Sequence, residues 1–211
     1  MKPSSPDPIP TPATRKALRQ RLRRIRRQLS FSQQRNAARS LARQLLHAPA
    51  WQCARRIAFY QAVAGEIDPA PALRHAWRQG KACYLPVLHP FKPEHMLFVR
   101  VRPDDRLTRN RWGIPEPKLC LKDILSPRQL HLVLMPLVGF DEAGNRIGMG
   151  KGFYDRAFSF MHGKHGQPVL VGLGHECQKV AEGITPSAWD VPLDALATPR
   201  RYKPIRNLKS L

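Results

Sequence analysis

The chain has 211 residues, 36 of them lysine or arginine against 15 aspartates and glutamates, for a formal charge of +21 at pH 7. Its 42% hydrophobic content supports one packed domain and excludes a disordered chain. No apolar run reaches the roughly 18 residues that a membrane-spanning helix needs. The charge calls for anionic partners and leaves two classes open, nucleic acid and acidic small molecules.

Residues 1–13, M-K-P-S-S-P-D-P-I-P-T-P-A, have no apolar stretch of the kind a secretory signal carries, and read as a flexible proline-rich lead. Leu18, Leu22, Ile25 and Leu29 then recur at helical spacing and predict an amphipathic helix over 14–28. Its other faces carry Arg15, Lys16, Arg19, Arg21, Arg23, Arg24, Arg26 and Arg27. Most of that run reads as a solvated face, with the arginines near the helix start able to reach a phosphate. Ser30 and Gln33 form a capping box, which starts a second helix running to about residue 46.

After Trp51 strands and helices alternate. The pattern predicts a strand over 56–60, a loop over 61–68, and a helix capped by Asp68 with Pro69 first and Gly80 at its end. Strands follow at 82–85 and 96–101, paired as a hairpin. Residues 109–117 read as loop, because their prolines and glycine argue against a ladder. A short helix is expected over 121–128 and a buried strand over 131–138. Beyond a glycine-rich stretch come a helix over 153–162, an apolar strand over 168–174, an edge strand over 194–198 and a basic tail over 201–211. This alternation indicates one α/β domain over 14–200: three layers, a mostly parallel central sheet, helices on both faces, and basic helices at its N-terminal end.

The glycine-rich stretch, residues 136–156, reads P-L-V-G-F-D-E-A-G-N-R-I-G-M-G-K-G-F-Y-D-R. It follows a buried strand, and α/β sheets bind ligands at the carboxyl ends of their strands. Gly144, Gly148, Gly150 and Gly152 let backbone N–H groups gather round an anion, Arg146 and Lys151 supply counter-charge, and Asp155 is a carboxylate for a nucleotide's metal. The stretch is not a Walker loop, since Gly152 stands where Ser or Thr would take magnesium, and Phe153 replaces the last glycine of a dinucleotide fingerprint. A bare hairpin turn is the alternative, but a turn does not require Arg146, Lys151 and Asp155 together. Cys53, Cys83, Cys120 and Cys177 are scattered without a C-x-x-C pair, which points to reduced thiols in a cytoplasmic protein. His162 and His165 lack a third ligand and read as surface.

The string F-D-E-A-G-N-R-I-G-M-G-K-G-F-Y-D-R resembles the signature of the 5-formyltetrahydrofolate cyclo-ligases, also called 5,10-methenyltetrahydrofolate synthetases. Other blocks of that family's pattern occur in order: R-K-A-L-R from Arg15, G-E-I-D from Gly65, G-K-A-C-Y-L-P from Gly80, W-G-I-P-E-P from Trp112, V-G-L-G-H-E from Val171 and W-D-V-P-L-D from Trp189. The resemblance spans about residues 15–198. It implies ATP- and magnesium-dependent closure of 5-formyltetrahydrofolate to 5,10-methenyltetrahydrofolate, with release of ADP and phosphate. It further implies catalytic roles for Lys151 and Arg146, and ATP contacts from Arg15, Lys16, Arg19 and residues 146–154, namely Arg146, Ile147, Gly148, Met149, Gly150, Lys151, Gly152, Phe153 and Tyr154. Reduced folate would meet Gln61, Glu66, Met149, Gly150, Lys151, Gly152 and Phe153, and magnesium would meet Asp155 and Asp194. The family pattern opens with lysine where this chain has Arg15, its lysine standing one place later at Lys16; Arg19 is the better match, and which of Arg15 and Lys16 reaches ATP stays open. Met149 stands where relatives carry arginine or tyrosine. The expected partners are ATP and a reduced folate, with or without a polyglutamate tail, handled by a monomer without membrane or nucleic-acid partners. A basic nucleic-acid binder that kept this fold and lost its chemistry is the rival reading.

Overall fold

The computed structural model describes residues 12–162 and 168–205. Most of the proline-rich lead, the end of the basic tail, and His165 therefore lie outside the described residues. The helices are α1 (Pro12–Arg27), α2 (Phe31–Leu46), α3 (Pro49–Cys53), α4 (Ala70–Arg78) and α5 (Phe153–Ala157). The strands are β1 (Arg56–Ala58), β2 (Ala82–Leu88), β3 (Met96–Val101), β4 (Leu107–Arg109), β5 (Pro115–Pro117), β6 (Ile124–Leu125), β7 (Leu132–Pro136), β8 (Gly139–Phe140), β9 (Arg146–Ile147), β10 (Val169–Leu173), β11 (Ala195–Ala197) and β12 (Tyr202–Pro204).

Eight strands form one sheet in the order β12-β11-β10-β7-β1-β2-β3-β6. The inner five are parallel, with Ile57 level with Leu132 and Val171 level with both Leu134 and Ala195. Antiparallel strands flank them on both sides. Strand alternation divides the core in two. Ile57, Phe59, Leu132, Leu134, Val169 and Val171 face α2, α3 and α4. Ala58, Val133, Met135, Leu170 and Leu196 face the other way, onto Leu137, Phe140, Phe158 and Leu193. The second face is thus covered by short α5, a following 3-10 turn and loops rather than by long helices. Each fully buried leucine, isoleucine or phenylalanine contributes about 1.5–3 kcal/mol, so these two layers dominate stability.

Helix α1 lies at the carboxyl end of the parallel strands, where Leu22 packs with Val138, Ile147, Val180 and Ile184. Gly139 permits that approach, since a Cβ there would stand 2.5 Å from Leu22 Cδ1. Ser30 caps α2 with the expected box, Gln33 N–H donating to Ser30 Oγ at 3.2 Å and Ser30 N–H to Gln33 Oε1 at 2.8 Å.

Several local expectations are corrected. Residues 109–117 are not all loop: β4 and β5 pair, with Leu107 opposite Pro117 and Arg109 opposite Pro115. Asn110 N–H donates to Ile114 O, so in an alternating ladder both prolines fall where no N–H is needed. The helix expected over 121–128 is two 3-10 turns separated by β6. Ser126 precedes Pro127, which drives it out of the helical region to ψ 140°. The helix expected over 153–162 stops at Phe158, where the chain bends and the ring enters the core 5.6 Å from Phe98. Asp68 does not occupy the cap position of α4, which Pro69 holds, although its carboxylate accepts Ala70 N–H at 2.9 Å. Strand β11 is not an edge, because β12 pairs outside it.

Candidate active site

Leaving β7, the chain makes the small hairpin β8–β9 and then the glycine loop. Asp141 holds the hairpin turn. Its carboxylate accepts Ala143 N–H at 3.0 Å, and Asn145 N–H, Asn145 Nδ2 and Ile184 N–H at 2.9 Å each. Gly144 completes the turn at φ +86°. The hairpin reading of this stretch is therefore realised, but only for its first half. Residues 148–152 continue as an open loop, with positive φ at Gly150 (+91°) and Gly152 (+65°), and nothing within 4 Å of a Cβ built on Gly148.

The first turns of α1 lean on that loop. Arg19 Nε donates to Gly148 O at 3.0 Å, and its guanidinium carbon lies 3.5 Å from where a Gly150 Cβ would stand. One turn earlier, Arg15 pairs with Asp190 at 2.8 Å and donates to Ser187 Oγ. Lys16, a third of a turn away, is exposed. Burial first, then the charge of Arg15, holds the Arg19 guanidinium below its usual range, and Asp190 offsets this only in part. Two guanidiniums beside one carboxylate leave net positive charge at a glycine-rich backbone. That combination suits an anion.

Arg146, expected at the phosphates, is buried. Its guanidinium donates to Val191 O and to Asp155 Oδ1, which also accepts Val191 N–H at 3.2 Å. It braces the loop from below. The Ile147 side chain belongs to the α1 core, so only its backbone faces the loop. Lys151, Met149 and Gly150 are exposed at the tip. Phe153 meets Trp112 edge to face at 5.7 Å, with Arg111 over Trp112 and Arg156 over Phe153.

The loop between β1 and α4 brings Glu66 to the same end of the sheet. Ala64 and Gly65 turn with positive φ, and Gly65 sits against α1, its Cβ position 3.3 Å from Arg26 O. Glu66 is 7% exposed. Its Oε2 accepts Val63 N–H at 3.2 Å, and its Oε1 lies 3.5 Å from Arg26 Nη2. Burial raises its carboxyl pKa, opposed chiefly by Arg26. Burial and the Glu66 charge together raise the phenols of Tyr60 and Tyr154 above their ordinary range. Tyr154 follows the glycine loop directly, so Glu66 and that loop share one neighbourhood. Gln61, just beyond β1, is partly exposed.

Asp194 does not join them. It is buried, its Oδ2 accepts Leu170 N–H at 2.8 Å, and it closes the seam between β10 and β11. Among the described residues, no three His, Cys, Asp or Glu side chains gather closely enough to hold a metal by themselves. Asp155 fits a magnesium that arrives with a nucleotide, because such an ion takes one or two carboxylates and fills its sphere with phosphate and water. Both Asp155 bonds fall on Oδ1, and its side chain is partly exposed.

The sequence pattern of the 5-formyltetrahydrofolate cyclo-ligase family matches residues 11–199. The chain belongs to that family. It is therefore a ligase by descent. The cyclo-ligase of Escherichia coli (strain K12) is 40% identical over 180 residues, covering 85% of this chain and 97% of that protein. The cyclo-ligase of Haemophilus influenzae is 41% identical over 179 residues, covering 85% and 94%. A solved structure of Aquifex aeolicus 5,10-methenyltetrahydrofolate synthetase resembles this fold with a TM-score of 0.78 at 26% identity, over 93% of this chain and 95% of that one. Among the described residues of this cyclo-ligase family member, no helix is long and apolar enough to cross a membrane.

Four residues at the site escaped the sequence reading. Asp190 sets Arg15, Asp141 sets the hairpin, Trp112 flanks Phe153, and Arg26 lies under Glu66. Asp141 carried a readable signal, an aspartate opening a turn that ends in Gly-Asn. Arg26 carried none among so many arginines.

Proposed function

We propose that this chain converts 5-formyltetrahydrofolate and ATP into 5,10-methenyltetrahydrofolate, ADP and phosphate. The observation that carries the reading is the convergence of a cationic glycine loop, suited to phosphates, with a buried carboxylate suited to the N–H groups of a reduced pterin. A formyl amide is too stable to close unaided onto its neighbouring nitrogen. Attack of the formyl oxygen on the terminal phosphorus of ATP breaks the bond to ADP and makes that oxygen a leaving group. Nitrogen 10 then attacks the formyl carbon, phosphate departs with that oxygen, and the nitrogen's proton is released.

Such transfer needs positioning and charge neutralisation above all. Backbone N–H groups of residues 148–152, with Arg15, Arg19 and Lys151, hold the phosphates, and Lys151 follows the transferred group. Arg146 acts through Asp155, which would hold magnesium; the ion would neutralise phosphate charge. Asp194 serves the sheet. Glu66 orients the pterin, with Trp112 and Phe153 as its apolar wall. The arginine face of α1, where Gln20, Arg23, Arg24 and Arg27 line a shallow groove, draws in the glutamate end of the folate.

The test is ATP-dependent formation of 5,10-methenyltetrahydrofolate, followed by its near-UV absorbance. Folded protein that yields no product overturns the reading. Lys151→Ala should abolish turnover and leave Tm nearly unchanged, because the side chain is exposed.

A further inference from the structure

Arg26 is unlike the other arginines of α1. It is 0% exposed, whereas its neighbour Arg27 faces solvent. Its Nε donates to Ala64 O at 3.1 Å and its Nη1 to Leu137 O at 3.0 Å, while Nη2 points at Glu66 Oε1 at 3.5 Å. Gln178 Nε2 donates to the same Leu137 O at 2.7 Å. One guanidinium thus ties α1 to the loop that carries Glu66 and to the chain leaving β7 for the glycine loop. Burying a cation is unfavourable, and here burial lowers its pKa. An apolar side chain would fill the space more cheaply, so the arginine answers to something other than packing.

Its partners are two backbone carbonyls and one carboxylate, and the carboxylate is the one that carries charge. Glu66 Oε2 is taken by Val63 N–H, while Oε1 makes only the long contact to Arg26 and keeps acceptor capacity for a ligand. The charged and titratable groups around Glu66 are Arg23 and Arg26 from α1, Tyr60 after β1 and Tyr154 from α5, with Asp68 before α4 acting on Tyr60. His175, after β10, lies beside Arg26 and is kept toward its neutral form by burial. Among them only Arg26 reaches the carboxylate directly.

We propose that Arg26 is a positioning residue, holding the Glu66 carboxylate ionised and aimed at the N–H groups of the reduced pterin. The proposal rests on the reading of Glu66 as a substrate contact. Arg26 fixes where the carboxylate points and, through Leu137 O, sets its height against the glycine loop. Without it, a buried glutamate takes up a proton and turns from acceptor to donor at the oxygen the pterin would use.

The experiment follows kcat/KM for 5-formyltetrahydrofolate against pH in the wild type, Arg26→Gln, Arg26→Lys, Glu66→Gln and the double variant. Arg26→Gln should move the acid limb toward higher pH by about one unit or more and weaken KM more than kcat. Arg26→Lys keeps the charge and should hold the limb near wild type while KM rises. In the Glu66→Gln background, Arg26→Gln should add less than about threefold, since coupled residues are not additive. Direct titration of the carboxyl carbons by NMR is practical with only six glutamates in the chain, and Glu66→Gln assigns the signal. This readout needs no catalysis, and if Arg26→Gln does not fold, Arg26→Lys decides through KM, where a wild-type value overturns the proposal. In Arg26→Gln an unmoved limb and unmoved Glu66 titration overturn it, as do effects that simply multiply. A Glu66→Gln variant with wild-type KM removes the Glu66 reading itself, and the positioning role with it.

Discussion

Replacing Asp141 with alanine probes how the glycine loop is held. The carboxylate is 4% exposed and accepts from Ala143, twice from Asn145, and from Ile184. The Ile184 bond is buried, so its stranded N–H costs about 1–3 kcal/mol. The three turn bonds can be partly remade with water and lose about 0.5–1 kcal/mol each. The total is about 4 kcal/mol, roughly a 10 °C fall in Tm for a chain of this size. Thermal melts by circular dichroism and urea midpoints measure it. The same change should raise KM for ATP, because β9 and the loop hang from this turn. Asp141→Asn keeps acceptors for the turn but sets an amide against at least one donor, and should cost about half as much. A Tm within about 2 °C of wild type, with KM unchanged, refutes the assignment.

Gly150→Ala puts a Cβ at φ +91° beside the Arg19 guanidinium, a local strain of about 1–2 kcal/mol. It should weaken ATP binding by about tenfold, read by titration calorimetry, while Tm barely moves. Glu142 joins the hairpin turn to Lys179, Lys203 and Arg201, and these cations hold its carboxyl at about 2. A folded pKa below the ordinary 4.5 means that its contribution is present above that value and lost as pH falls toward 2. Glu142→Gln should therefore lower stability at pH 7 and much less at pH 2, and the difference should shrink in about 1 M NaCl. Burial pushes the Cys83 thiol up to about 12, whereas Cys53 is exposed. Alkylation at pH 8, followed by mass spectrometry, should label Cys53 first and Cys83 only as the chain unfolds.

Periodicity placed the long elements correctly because burial enforces it. The leucine stripe of α1, the Ser30 box, and the apolar runs of β7 and β10 stand where the pattern put them. Local rules failed where partners elsewhere in the chain decide. The prolines of β5 are tolerated because Thr108 and Glu116 set the pairing register. The expected helix after Phe153 is cut short because Phe158 has a core to enter.

Sequence by itself determined the family, through blocks that keep their order from Arg15 to Asp194, and the cationic glycine loop whose residue types suit a phosphate. Tertiary structure alone decided what each charge does, since a side chain's role depends on its neighbours. Arg15 turns toward Asp190 while Lys16 faces water. Arg146 and Asp194 bear on backbone and carboxylate inside the fold. Arg26, one arginine in a run that reads as solvated, is the one that lies buried against Glu66, because the turn at Gly65 packs directly onto α1.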